Sequence, residues 1–162
     1  MSQLAQFVKS LPQRIFITGA SGCIGHYVID SLANNTHHEL FLLLRNPDKL
    51  KLDITYYPNI HVLQGDIRNI ERFADLLGTI DTAILIATSW GGAPAIYDIN
   101  VTANLKLMNL LDPDRIRQVL YFSTASILNR QNRPLKEAGQ VSFDYIRSKY
   151  QCHQKLQDLA IY

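Results

Sequence analysis

The stretch that most limits what this chain can become is Thr18-Gly19-Ala20-Ser21-Gly22-Cys23-Ile24-Gly25. An apolar run, Ile15-Phe16-Ile17, precedes it, and Ile24, Val28, Ile29 and Leu32 follow at helical spacing. The order is therefore strand, glycine turn, helix. Gly19 can take the backbone angles of a sharp turn because it has no Cβ. Gly22 lets a phosphate approach the main chain, and Gly25 lets the helix sit close to the strand. The first N–H groups of such a helix are unpaired and face an incoming anion, and the helix dipole adds to the attraction. A glycine triplet by itself also fits a plain strand-to-helix turn. In this context it points to a nucleotide pyrophosphate.

The remainder of the chain repeats the alternation. Strand one is Arg14 to Thr18, and helix one runs from about Gly22 to Ala33, ending at Asn34-Asn35. Strand two, Leu40 to Leu44, is continuously apolar, as a strand covered on both faces must be. Strand three is His61 to Gln64, ended by Gly65-Asp66. Helix two covers about Ile70 to Leu77, with Ile70, Phe73, Ala74 and Leu77 on one face. Strand four is Thr82 to Ala87. A loop with Trp90-Gly91-Gly92 leads to a long helix from about Ala95 to Leu111, stopped by Asp112-Pro113. Strand five is Gln118 to Ser123. A polar stretch from Asn129 to Gly139 precedes a last helix, about Phe143 to Leu159. Strands alternating with helices force parallel pairing through right-handed crossovers. The expected fold is an α/β doubly wound parallel sheet of three layers, a Rossmann fold with strand order 3-2-1-4-5. Its ligand crevice lies at the carboxyl ends of strands one and four.

Composition narrows the class. The 162 residues suit one domain with a proper core, and 47% hydrophobic residues with 19% charge describe an ordinary globule. The net charge of +2 comes from scattered basic residues, which leaves no footprint for nucleic acid. The longest apolar runs are strand-sized, so no membrane span is expected. Cys23 and Cys152 lie far apart without metal-ligand spacing, and His37 and His38 read as solvated loop residues, so no metal is expected. Reduced thiols and no visible signal peptide fit a cytoplasmic protein. Residues 1–13 carry Leu4, Phe7, Val8 and Leu11 at helical spacing before Pro12, and read as a short leader ahead of a domain spanning 14–162.

The chemical signal is Tyr145-Ile146-Arg147-Ser148-Lys149. Residues four apart share a helix face, so phenol and ammonium can meet one cleft. A free tyrosine titrates near pH ~10, and a neighbouring cation is expected to lower that value and make Tyr145 a proton exchanger. Lys149 can also hold a ribose. Thr124, at the end of strand five, can polarise a carbonyl, with Ser123 and Ser126 as competitors and a turn-forming cluster as the plainer reading. Arg45, just past strand two, suits the 2′-phosphate of NADP where an acid would hold the ribose of NAD. Asp66 either accepts the adenine amino group or caps the next helix. Asn100 either serves the site or is a satisfied polar residue inside a helix. Ser21 and Ser148 are candidates for phosphate and ribose.

Together these residues resemble the short-chain dehydrogenase/reductase superfamily, in its extended or atypical branch of NAD-dependent epimerases, dehydratases and reductases. The matching motifs are Thr18 to Gly25, Gly65-Asp66-Ile67, Ala87 ending strand four, Asn100-Val101, Ser123-Thr124, and Tyr145 with Ser148-Lys149. The resemblance implies Tyr145 as catalytic acid/base, Lys149 as the group that lowers its pKa, and Thr124 as the oxygen-steadying residue. It implies a cofactor set of Gly19, Ser21, Gly22, Cys23, Ile24, Gly25, Arg45, Asp66, Ile67, Ala87, Thr88, Asn100, Tyr145 and Lys149. The cofactor is expected to be NADP, with NAD the alternative, and the substrate a small carbonyl or hydroxyl compound such as a nucleotide sugar. A homodimer is implied by the resemblance only. Ala103-Asn104, Ile127-Leu128-Asn129 and Ile146 depart from the branch's usual residues. Its members are also about twice as long, so the chain reads as the cofactor-binding part with the C-terminal substrate region absent. The rival reading is a non-catalytic NAD(P)-binding module or redox sensor.

Overall fold

The computed structural model describes residues 11–159. Strand β1 (Arg14–Thr18) leads to helix α1 (Cys23–Asn35), then β2 (Glu39–Leu44) and β3 (Ile60–Gln64). A 3-10 segment, Ile67–Phe73, runs into the short α2 (Ala74–Leu77), followed by β4 (Thr82–Leu85). One continuous helix then comprises α3 (Ala95–Tyr97), a π-helical segment (Asp98–Ala103) and α4 (Asn104–Leu110). Strand β5 (Gln118–Tyr121) and helix α5 (Asp144–Leu159) complete the fold. All strand pairs are parallel and the order is β3-β2-β1-β4-β5, as the sequence predicts.

Alternate strand residues supply two separate cores. Ile15, Ile17, Leu40, Leu42 and Leu44 pack with Ile29 of α1 on one face. Phe16, Phe41, Leu43, Ala83 and Leu85 pack with Ile67, Ile70, Leu77 and Leu107 on the other. Both faces of the central strands are dry, which is why β2 is apolar at every position. A smaller cluster, Val101 with Cys152 and Leu156, seats α5 against the π-helical segment.

Several boundaries differ from the sequence expectation for identifiable reasons. β4 ends at Leu85, not Ala87, because the N–H groups of Ile86 and Ala87 donate to Oγ1 of the buried Thr18 (3.1 and 3.2 Å) and not to a strand carbonyl. Helix two is mostly 3-10 and breaks at Asn69 (φ −112°, ψ 40°). The π-helical turn widens the long helix and frees carbonyls, and Asn104 Nδ2 takes up two of them, Ile99 O at 3.1 Å and Asn100 O at 3.2 Å. His38 is not simply solvated: its Nδ1 accepts from the Gln13 N–H at 3.0 Å. Residues 1–10 of the expected leader lie outside the described residues. Gln13 is tied to the sheet, its carbonyl accepting from Glu39 N and its side chain from Thr82 Oγ1.

Candidate active site

The glycine turn is built as its spacing requires. Gly19 has φ +74°, in the left-handed region, and a Cβ there would stand 2.6 Å from Ala87 N. A Cβ on Gly25 would stand 2.2 Å from Gly19 O, so α1 abuts the turn only because that position has no side chain. The Gly22 N–H closes the turn on Gly19 O at 3.0 Å. Gly22 is also the N-cap of α1, and no side chain caps the helix. Its first N–H groups are therefore free for a ligand, beside the exposed Cys23 and Ile24 and the half-buried Ser21. This cradle fits a dinucleotide pyrophosphate: backbone donors, no obstructing Cβ, and a 13-residue helix behind them.

Beyond β2 and β3 stand three charges. Arg45 is exposed. Asp66 is held by Arg68 in a fork, Arg68 Nε to Oδ1 at 3.0 Å and Nη2 to Oδ2 at 2.7 Å. It also caps the 3-10 turn through the Arg68 N–H at 2.9 Å. Arg68, with a smaller contribution from Arg45, holds the Asp66 carboxyl below the usual range. The capping reading of Asp66 is thus realised, together with an ion pair that sequence reasoning missed; the signal was an arginine two residues after the aspartate. Ile67 is buried in the core, so only its main chain can serve a ligand.

The centre of the site is Asn100, fully buried on the π-helical turn. Its Oδ1 accepts from Thr88 Oγ1 (3.1 Å) and Ser89 N (2.7 Å), and its Nδ2 donates to Ser89 O (3.1 Å) and Ser148 Oγ (3.0 Å). Ser148 Oγ in turn donates to the Tyr145 carbonyl at 2.8 Å. All four hydrogen-bonding positions of the amide are used. Asn100 joins the loop after β4 to α5, so the reading of a satisfied polar residue inside a helix is realised.

Tyr145 and Lys149 both face inward from α5. Tyr145 is 8% exposed and Lys149 1%. The ammonium donates to Phe122 O at 2.8 Å and lies 4.9 Å from the Tyr121 ring centre. Burial lowers its pKa from 10.5 to about 8. Burial also pushes the Tyr145 phenol up, opposed by the Thr88 hydroxyl beside it. This corrects the sequence expectation of a phenol made more acidic by Lys149: the amine is occupied at the end of β5, and desolvation dominates at the phenol. Thr124 sits on the turn that packs against α5. Its Oγ1 accepts from Ser126 N at 3.3 Å and caps the 3-10 turn Ala125–Ile127. Ser123 Oγ is buried without a protein partner.

One residue at the site went unrecognised in the sequence. Trp90 lies flat on Tyr145, with ring centres 3.8 Å apart and planes 12° from parallel. Its Gly-Gly surroundings signal only a loop; the single available hint was a lone tryptophan at a strand's carboxyl end. Among the described residues, no group of three or more His, Cys, Asp and Glu is arranged to hold a metal, and no helix is long and apolar enough to cross a membrane.

A family model described as NAD(P)H-binding matches residues 19–160. An isoflavone reductase homolog from Nicotiana tabacum is 30% identical over 104 residues, 61% of this chain and 33% of that protein. A UDP-glucose 4-epimerase from Klebsiella pneumoniae is 26% identical over 141 residues, 73% of this chain and 94% of that sequence. Among solved structures, the terminal R domain from the myxalamid PKS-NRPS biosynthetic pathway superposes with a TM-score of 0.75 at 20% identity, covering 92% of this chain and 46% of that one. The chain thus spans about a third of the first curated relatives and about half of that structure. With the glycine cradle at one end of its crevice and the Asn100-anchored tyrosine helix at the other, the chain belongs to the NAD(P)H-binding family, on the fold shared by the NAD-dependent epimerases, dehydratases and reductases.

Proposed function

We propose that this chain is the coenzyme-binding part of an NADP-preferring oxidoreductase or epimerase/dehydratase-type enzyme acting on a carbonyl or hydroxyl compound. The supporting observation is an unbroken line of contacts from the coenzyme cradle to the acid/base. Gly19 abuts Ala87, Thr88 and Ser89 bond to Asn100, Asn100 bonds to Ser148, and Ser148 bonds to the Tyr145 carbonyl. A bound nicotinamide supplies the hydride. The free N–H groups at the start of α1 would hold its pyrophosphate, and Arg45 would meet a 2′-phosphate, since Arg68 is already paired with Asp66. Asp66 offers an acceptor to the adenine amino group, and Thr88 borders the ribose. Tyr145 passes its phenolic proton to the substrate oxygen as that oxygen gains charge, and takes it back in the reverse direction. Thr124 steadies the same oxygen, and Lys149 holds the ribose next to the phenol.

Tyr145→Phe tests the mechanism. It should abolish turnover on a carbonyl panel while leaving the NADPH dissociation constant within about twofold, because the hydroxyl alone is lost. Turnover retained in that variant would remove Tyr145 from the reaction. A non-catalytic, coenzyme-sensing module is favoured by one observation: the phenol lies almost wholly covered beneath Trp90. NADPH binding with no turnover of any carbonyl compound in the panel would select that reading.

A further inference from the structure

Trp90 has two unequal faces. One is spent on the Tyr145 ring at 3.8 Å, yet the residue as a whole is 67% exposed, so its other face and much of its edge are open. On the same phenol lies a second exposed aromatic, Phe143, 54% exposed, with its ring 6.2 Å from that of Tyr145 and tilted by 53°. Two large apolar side chains in water beside a candidate acid/base are costly unless something covers them. The loop is held in position, since Ser89 bonds to Asn100 through both its N–H and its carbonyl. The indole is therefore presented on a fixed base. The cations on the adjoining turns of α5 are already engaged, Lys149 by Phe122 O and Arg147 by Asp144. Arg147 is charge-paired, and in the function proposed above Lys149 serves the coenzyme ribose, so neither is left for a substrate diphosphate.

Resting on the function proposed above, we propose that Trp90 is the substrate platform of this site and selects an uncharged carbonyl compound bearing a flat aryl ring over a nucleotide sugar. The substrate ring stacks on the open face of the indole, and Phe143 bounds it. Two stacking intervals then separate substrate ring and phenol, roughly 7–8 Å. The carbonyl is accordingly carried on a short saturated arm, free to bend out of the ring plane and reach round the indole edge to the Tyr145 hydroxyl.

Trp90 is the chain's single tryptophan, so its emission reports this site alone. The 162-residue chain, with NADP present, is titrated with 4-phenylbutan-2-one, with 4-cyclohexylbutan-2-one and with UDP-glucose. Saturable quenching by the phenyl ketone is expected, with an affinity about three- to tenfold above that of its cyclohexyl counterpart and above that of UDP-glucose. Binding to variants without tryptophan is followed by ligand-observed NMR. Trp90→Leu should weaken the phenyl ketone about three- to tenfold, and Trp90→Phe by no more than about twofold. Equal affinity for the two ketones, tighter binding of UDP-glucose, or an unchanged affinity in Trp90→Leu would overturn the platform. NADPH binding, read from its own fluorescence in parallel samples, separates the outcomes. Failure of NADPH to bind defeats the coenzyme reading, whereas NADPH binding without aryl preference defeats only the platform.

Discussion

The buried Lys149 ammonium should leave a signature in the pH dependence of stability. Its pKa is 10.5 when exposed and about 8 in the fold, with burial as the main cause. Between these values the unfolded chain binds more protons than the folded one, so stability rises with pH. Below pH 8 both states carry the charge and the full burial cost is present; above 10.5 neither carries it and the cost is gone. With those two pKa values, going from pH 7 to 9.5 should raise the unfolding free energy by about 2 kcal/mol. Tyr145 and Cys152, both pushed up by burial, act in the opposite sense at the alkaline end, because their unfolded forms ionise first. The clean quantity is therefore the difference between the protein with Lys149 and its Lys149→Met variant. Methionine fills similar space, never ionises, and keeps Tyr145 in both proteins; Cys152, whose charge couples to Lys149, is replaced by alanine in both. Urea unfolding at several pH values between 7 and 9.5 should show the protein with Lys149 gaining on Lys149→Met by about 2 kcal/mol. A flat difference, or one of opposite sign, would mean that the ammonium is solvated in the folded protein and that its contacts with Phe122 and Tyr121 do not describe its environment.

Arg45→Asp should shift coenzyme preference towards NAD, and an unchanged ratio of NADPH to NADH dissociation constants would count against a role for Arg45. Gly19→Ala places a Cβ 2.6 Å from a backbone nitrogen at φ +74° and should cost more than about 2 kcal/mol in urea unfolding while weakening NADPH binding. Asn100→Ala leaves the Ser89 N–H, the Ser89 carbonyl and the Ser148 hydroxyl without their partner. It should cost about 3 kcal/mol, and it should red-shift the emission of Trp90 by releasing the residue before it.

The fold was legible because its determinants are local. The period of β1 and β2, the glycine spacing and the alternation of strands and helices are read along the chain, and together they favour the sheet order observed. The cradle was legible for the same reason. Most of what escaped depends on contacts between distant segments, the π-helical turn being a local exception. Thr18 ends β4 by accepting from Ile86 and Ala87, 68 and 69 residues away. The π-helical turn depends on how Asn104 satisfies carbonyls, which no hydrophobic period reveals. Trp90 acquires its meaning from Tyr145, across a separation that no local pattern spans. The tyrosine–lysine spacing correctly put both side chains on one inward face, yet it carried no information on desolvation, and there the expected direction of the phenol's pKa was reversed.

That reversal bears on how the Tyr145 proton is held. A buried phenol with a raised pKa is protonated at neutral pH, and the Lys149 amine, at about 8, is close to losing its charge in the same dry region. Both shifts come from burial, and both favour the neutral form of their group. In the function proposed above, that neutral phenol is the form that donates to a substrate oxygen gaining charge. Burial opposes the phenolate. The covering indole contributes to that opposition, since it keeps water from one face of the ring. Thr88 acts the other way, and its hydroxyl is shared with the Asn100 anchor, so the geometry that fixes the loop also limits how far burial can raise the phenol. In this arrangement acidity at Tyr145 is set less by the lysine one turn away than by how completely Trp90 and Thr88 enclose the ring.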